Sequence, residues 1–165
     1  MNEELRNKIS RIKLIGTDFD GVWTDGKVTT DQNGNESVTC SRKDTLRIKD
    51  VKAAGIEVFV ISKEQNAVVA RRCEKMKVEF KQGIDGKLAV FKALLADRGL
   101  TPDEAIFIGD DTNDLDCLKH AGLAMTVADG DPLCKAEADY ITTRNGGDHA
   151  MREIFDLVLS VRAPQ

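Results

Sequence analysis

Residues 11–26 read RIKLIGTDFDGVWTDG, an apolar run through Ile12, Leu14 and Ile15 that gives way to three carboxylates, Asp18, Asp20 and Asp25, among the glycines Gly21 and Gly26. Charges are seldom left at the end of a buried strand unless they are paired or meet a cation. The stretch therefore predicts a buried strand that ends on a binding site.

Outward from it, the short apolar runs IEVFVIS, AIFIGDD, LAMTV and DYITT read as further strands. Between the runs, DTLRIKDVKAAG, EQNAVVARRCEKMK, DGKLAVFKALLADRG and TNDLDCLKHAG carry helical spacing, with Gly55, Gly99 and Gly122 where helix C-caps belong. Strand and helix in alternation predict an α/β fold, a Rossmann-like three-layer sandwich on a central parallel sheet, with its site at the carboxyl ends of the strands. Asp18, Ser62 and Asp110 all fall there. One segment breaks the alternation: residues 27–40, KVTTDQNGNESVTC, place two Thr/Val-rich runs around Asn33-Gly34 and predict a projecting β-hairpin. Residues 1–8 and the final VRAPQ are expected to fray.

The chain has 165 residues, a formal charge of -4 and a pI of about 5.3. That length suits a single domain, 1–165, with the hairpin at about 27–40 and a C-terminal tail at about 144–165. Acids and bases are interspersed, so no basic block points to nucleic acid, and no apolar run approaches the roughly 18 residues of a membrane span. The reading is a soluble, cytoplasmic protein. Cys40, Cys73, Cys117 and Cys134 form no CxxC pair and are expected to be reduced, mostly buried thiols. Cys117 and His120 are spaced like a metal pair, but two ligands without a third read as core plus surface.

An Asp-x-Asp pair at a strand end sets two carboxylates on one side of an extended segment. Together with a third from another strand end they suit Mg²⁺, a hard cation that keeps several waters. GDDTND, residues 109–114, supplies that end: Asp110 is the candidate for direct coordination, Asp111 and Asp114 for outer-shell or alternative ligation. Ser62 is placed to donate a hydroxyl to a phosphoryl oxygen, with neighbouring N–H groups opening the helix that follows. Lys87 begins a predicted helix, where a cation opposes the macrodipole, and is best understood if it faces an anion.

DFDGVWTDG, then VIS, then Lys87, then GDDTND resembles, in that order, the haloacid dehalogenase superfamily of aspartate-nucleophile phosphatases. The resemblance implies that Asp18 attacks phosphorus, that Asp20 protonates the leaving oxygen and then activates water, and that Ser62 and Lys87 hold the transferring group. It also implies Mg²⁺ held by Asp18, the backbone carbonyl of Asp20, and Asp110. A phosphorelay receiver domain gathers similar residues, but there the phosphoacceptor lies on a middle strand and the lysine follows a late one. Here the acidic clusters end the RIKLIGTD and AIFIGDD runs, and the lysine precedes the second cluster.

Between the motifs there is room for the hairpin and single helices, so the chain has no cap domain. Capless members with this first motif, an NGNE-type turn and a GGxxAxRE tail (here Gly146, Gly147, Ala150, Arg152 and Glu153) resemble the phosphatases of 3-deoxy-2-keto sugar acids, 3-deoxy-D-manno-octulosonate 8-phosphate and the nonulosonate 9-phosphates. The resemblance implies a homotetramer in which hairpins associate and a neighbour's tail closes the site, and in some relatives a cytidylyltransferase partner. VISKEQNAVVARRCEKMKV looks closest to the sialic-acid branch. A sugar acid's carboxylate calls for a cation, for which Arg72 is the first candidate, followed by Lys75, Arg42 and Lys43; Glu64 is the candidate for a sugar hydroxyl. Relatives commonly read RDGxGI where this chain has KDTLRI, so Thr45 and Arg47 replace small residues near the expected site mouth and add either a narrower pocket or a carboxylate contact. Asp148-His149 likewise stands where a GRG-like turn is common. Asp25 is read as fixing the hairpin base. Two functions follow: a Mg²⁺-dependent sugar-acid phosphate phosphatase, or a phosphatase-derived module that organises oligomers of a cytidylyltransferase.

Overall fold

The computed structural model describes residues 1–162. In chain order it contains α1 (Glu3–Ser10), β1 (Leu14–Thr17), β2 (Thr29–Thr30), β3 (Glu36–Ser37), α2 (Ile48–Ala53), β4 (Glu57–Ile61), α3 (Ala67–Met76), β5 (Glu79–Lys81), α4 (Lys87–Asp97), β6 (Ala105–Ile108), α5 (Leu115–His120), β7 (Leu123–Thr126), α6 (Pro132–Glu137), β8 (Tyr140–Ile141) and α7 (Ala150–Arg162). Six strands form a parallel sheet in the order β5-β4-β1-β6-β7-β8, while β2 and β3 pair antiparallel as a separate hairpin. This is the expected three-layer α/β architecture.

The central strands β1, β4, β6 and β7 are buried on both faces because their side chains alternate between two apolar layers. Ile15, Val58, Val60, Ile106 and Ile108 join Trp23, Val51, Val69 and the α7 residues Met151, Ile154, Phe155 and Val158 on one side. Leu14, Phe59, Ile61 and Phe107 join Phe91, Leu94, Leu95 and Leu118 on the other. Register fixes the site: Thr17, the last residue of β1, lies opposite Val60 of β4 and Ile108 of β6, so the segments leaving all three strands emerge side by side.

Several expectations need correction. The N-terminus is helical from Glu3, capped by Asn2, which accepts the Leu5 N–H at 2.8 Å, and Ile9 is fully buried. Val161 and Arg162 of the final VRAPQ belong to α7, and its last three residues lie outside the described residues. Gly122 is no left-handed cap. It is small because its backbone crosses the Pro102–Asp103 turn, where an added Cβ would lie 2.4 Å from the Asp103 Cα. The hairpin strands are two residues each, joined by a turn in which Asp31 accepts the N–H groups of Asn33 and Asn35. No helix among the described residues is long and apolar enough to cross a membrane.

Candidate active site

Asp18 directly follows β1 and is 6 % exposed. One of its carboxylate oxygens accepts the Phe19 N–H at 2.6 Å, and the other meets the Lys87 Nζ at 2.7 Å. Lys87, the first residue of α4, also reaches Asp114 Oδ1 at 2.8 Å. Its buried cation therefore faces anions, as its position required, and those anions are protein carboxylates. The Asp114 Oδ2 in turn accepts the Asp110 N–H at 3.1 Å. Two carboxylates thus share one lysine, and a third stands beside them. Atoms of Asp18, Asp110 and Asp114 lie within 4.8 Å of one another, and Asp110 Oδ1 is buried with no hydrogen-bond partner among the described residues.

The electrostatics follow. Burial, and then Asp114, push the Asp18 carboxyl well above the usual range against the pull of Lys87. Burial, reinforced by Asp114 and Asp111, raises Asp110 to about 7. Carboxylates so short of positive charge, with an orphaned buried oxygen among them, fit a hard divalent cation. Asp20 is half-buried, and burial raises its carboxyl too, opposed by a 3.2 Å hydrogen bond from the Thr24 hydroxyl. Its side chain stands outside the three-carboxylate cluster.

Asp18, Asp20, Ser62, Glu64, Asp110 and Asp111 line one cavity of about 520 Å³. Ser62, the residue after β4, is buried, and its hydroxyl accepts the Glu64 N–H at 3.1 Å. The N–H groups beyond it belong to a loop, since α3 starts only at Ala67 with Asn66 as its N-cap. The helix N-terminus expected beside Ser62 is therefore displaced. Asp111 caps a turn through the Thr112 N–H, outside the cluster, so Asp114 is the nearer alternative ligand.

The candidate cations do not join this cavity. Arg42, Arg72 and Lys75 line separate clefts with Cys40, Thr45 and Met76. Arg47 bonds Asp50 and Asp156 on the α2–α7 side, and Lys43 lies in the turn ahead of α2. Thr45 and Arg47 thus leave the mouth of the chain's own cavity free. The lysine at its wall is Lys63, which sequence reasoning passed over, as it did Gln65 and Asn113. Cys117 is buried in the core, while His120 lies edge-on to Phe91 at 6.2 Å.

Thr24 was also missed. Its buried hydroxyl accepts the Gly21 and Gly26 N–H groups, each at 3.1 Å, and so closes the turn that carries Asp20. Asp25 accepts the Lys27 N–H at the hairpin base, as expected. Gly21 has φ +82°, and an added Cβ would lie 1.8 Å from Asp110 Oδ2. The tail expected to visit a neighbour packs on its own chain: the Gly147 N–H donates to the Val22 carbonyl, and the Gly146 N–H to Asp129. From Ala150 the tail is the core helix α7. His149, at φ +72°, ends the turn before α7, and Asp44 accepts the Arg152 N–H inside its first turn.

A Cβ on Gly146 would lie 1.7 Å from the Gly21 carbonyl oxygen, a backbone atom that cannot swing aside. Gly146→Ala is therefore expected to cost about 1–3 kcal/mol of stability and to lower turnover at least tenfold by shifting the Asp20 turn. Thermal melts and steady-state assays check both.

Residues 72–151 match the family of haloacid dehalogenase-like hydrolases. The chain is 33 % identical over 160 residues to the 3-deoxy-D-manno-octulosonate 8-phosphate phosphatase of Salmonella typhi, covering 96 % of this chain and 85 % of that one. It belongs to this family of haloacid dehalogenase-like phosphatases. The Haemophilus influenzae enzyme of the same name is 32 % identical, with 96 % and 88 % covered. A crystal structure of the Moraxella catarrhalis phosphatase, in complex with magnesium, phosphate and KDO, superposes with a TM-score of 0.94 at 32 % identity, covering 98 % of this chain and 94 % of that one. A cobalt-bound Haemophilus influenzae structure gives 0.89 at 32 % identity, with 94 % and 91 % covered. This hydrolase acts on phosphoric monoesters, and its acidic cluster suits the Mg²⁺ expected from the sequence.

Proposed function

We propose that the protein hydrolyses the phosphate monoester of a 3-deoxy-2-keto sugar acid, within the octulosonate 8-phosphate and nonulosonate 9-phosphate class. The observation that carries this is the cavity itself: a buried Asp18 and a half-buried Asp20 share it with Ser62 and with the orphaned oxygen of Asp110. The relatives support the sugar acid. Asp18, Asp110, the backbone carbonyl of Asp20, and Asp114 as the alternative would hold Mg²⁺, which when bound neutralises the nonbridging phosphoryl oxygens.

Asp18 attacks phosphorus through the oxygen that Lys87 holds in place, and the ester P–O bond breaks as the aspartyl-phosphate forms. Asp20 donates its proton to the leaving oxygen; burial shifts its carboxyl upward, the direction a proton donor needs. Asp20 then takes a proton from water, which attacks the acyl phosphate, releases inorganic phosphate and restores Asp18. The Ser62 hydroxyl donates to a phosphoryl oxygen, and Asp111 remains beyond the ligand shell.

Lys63 at the cavity wall supports the carboxylate contact within one chain; Arg72, Lys75 and Arg42 line a cleft that shares Glu36, Val38, Asn66 and Val68 with the space beside Asp20 and stay candidates for a long substrate, while Lys43 and Arg47 are candidates from another copy. A cytoplasmic homotetramer, in which exposed hairpins meet, brings a second copy near an uncapped cavity. The intact acidic set favours turnover over a purely organising role beside a cytidylyltransferase. Phosphate release from octulosonate 8-phosphate, a nonulosonate 9-phosphate and glucose 6-phosphate, with Mg²⁺ and with chelator, tests the proposal. Sugar-acid turnover at least tenfold above the hexose phosphate, abolished by chelator, is the expected result; equal rates overturn the sugar-acid reading.

A further inference from the structure

We infer that a second, apolar-walled cavity beside Asp20 receives a substituent of the leaving group, and that the preferred substrate within the proposed class is an N-acylated sugar acid. The inference rests on the sugar-acid reading above and narrows it. The cavity holds about 190 Å³ and lies between the β2–β3 hairpin and α3. Its apolar wall is Phe19, Val28, Val38, Val68 and Val69. It shares Asp20, Gly26 and Glu64 with the larger cavity, so the two meet at the residue that protonates the leaving oxygen. Phosphate occupies the Asp18, Ser62 and Asp110 side. The leaving alcohol must therefore depart on the Asp20 side, where this cavity opens.

Size and chemistry limit what fits. At about 190 Å³ the space is smaller than the roughly 300 Å³ at which pockets begin to enclose a whole ligand, so it suits one substituent of a larger molecule. A hydroxyl pressed on the valines would lose its water without gaining a partner, whereas a methyl group would be buried to advantage. The rim is polar and braced. The Asn66 amide donates to Glu36 at 2.6 Å, tying the hairpin to α3, and Glu64 Oε1 accepts the N–H groups of Gln65 and Asn66 at 2.7 and 3.0 Å. A group with a methyl end and an amide N–H to give to a carboxylate matches both parts. An N-acyl group has that composition; a hydroxyl at the same carbon does not.

The test uses a matched pair of nonulosonate 9-phosphates that differ only in carrying an acetamido group or a hydroxyl at one carbon, with octulosonate 8-phosphate and acetyl phosphate alongside. We expect kcat/KM to favour the acetamido compound by about tenfold or more, the range for one apolar group in a fitted pocket. Val38→Thr and Val68→Thr, which keep the β-branched shape, should move the ratio toward one. Sugar-acid turnover with a ratio near one, preference for the octulosonate, or a ratio that both variants leave unchanged overturns the cavity assignment while the sugar-acid reading stands. Hydrolysis of acetyl phosphate with no sugar acid turned over overturns both.

Discussion

Asp18→Asn is expected to abolish turnover, by on the order of 10⁴-fold or more, while the protein stays folded. The amide keeps the shape of the side chain and an oxygen for the Phe19 N–H or for Lys87, but it cannot form the acyl phosphate. Stability should change little, because the wild-type carboxylate is itself held at a cost. It is buried beside Asp114, and among the described residues Lys87 is the one cation that contacts both. The sign of the pH effect follows from that burial. A carboxyl whose folded pKa lies above its unfolded value binds more protons when folded, so its contribution to stability falls as pH rises through that window. The substitution removes this liability, and in chelator the variant should gain on the wild type in thermal melts as pH rises above the ordinary carboxylate range. Turnover within tenfold of wild type would sink the nucleophile assignment. Loss of folding would instead make Asp18 a structural residue first.

Much of this site can be read from the chain because each residue follows a strand whose own period is plain. Asp18, Ser62 and Asp110 each sit just past a four- or five-residue apolar run, and parallel pairing in register does the rest. Lys87 was legible as a misplaced cation at a helix start, although two carboxylates inside the protein turn out to hold it. The end helices were hidden by charge and not by lack of pattern. Leu5, Ile9 and Ile12 already carry helical spacing, as do Met151, Ile154, Phe155 and Val158. The cations on α3 could not be placed from the sequence for a different reason. Spacing gives the face of a helix but not the cavity that face meets, so Arg72 and Lys75 proved to line a different cleft. Thr24 and Gly146 act through backbone contacts made across the fold, for which a single sequence has no signal beyond a small residue in an unexpected place.

Lys87→Met should be the most damaging single change to the fold at the site, costing about 3–5 kcal/mol at neutral pH along with all measurable turnover. Lys87 is 2 % exposed and bonds Asp18 and Asp114 at 2.7 and 2.8 Å, so its removal leaves two buried carboxylates facing each other with their common partner gone. Methionine fills most of the volume, and the loss is therefore electrostatic and not a cavity effect. Two conditions should reverse it. At low pH the freed carboxylates take up protons; their folded pKa values lie above the unfolded ones and rise further without the lysine, so the deficit is smallest near pH 4 and grows as pH rises. Saturating Mg²⁺ at pH 8 should restore part of the melting temperature by supplying positive charge beside Asp18 and Asp110, without restoring turnover. Urea titrations at pH 4.5 and pH 8, with and without the metal, measure both. A deficit that ignores pH and Mg²⁺ alike would show that Lys87 supports the fold by packing, and would remove the reason for treating the lysine and its two carboxylates as one electrostatic unit.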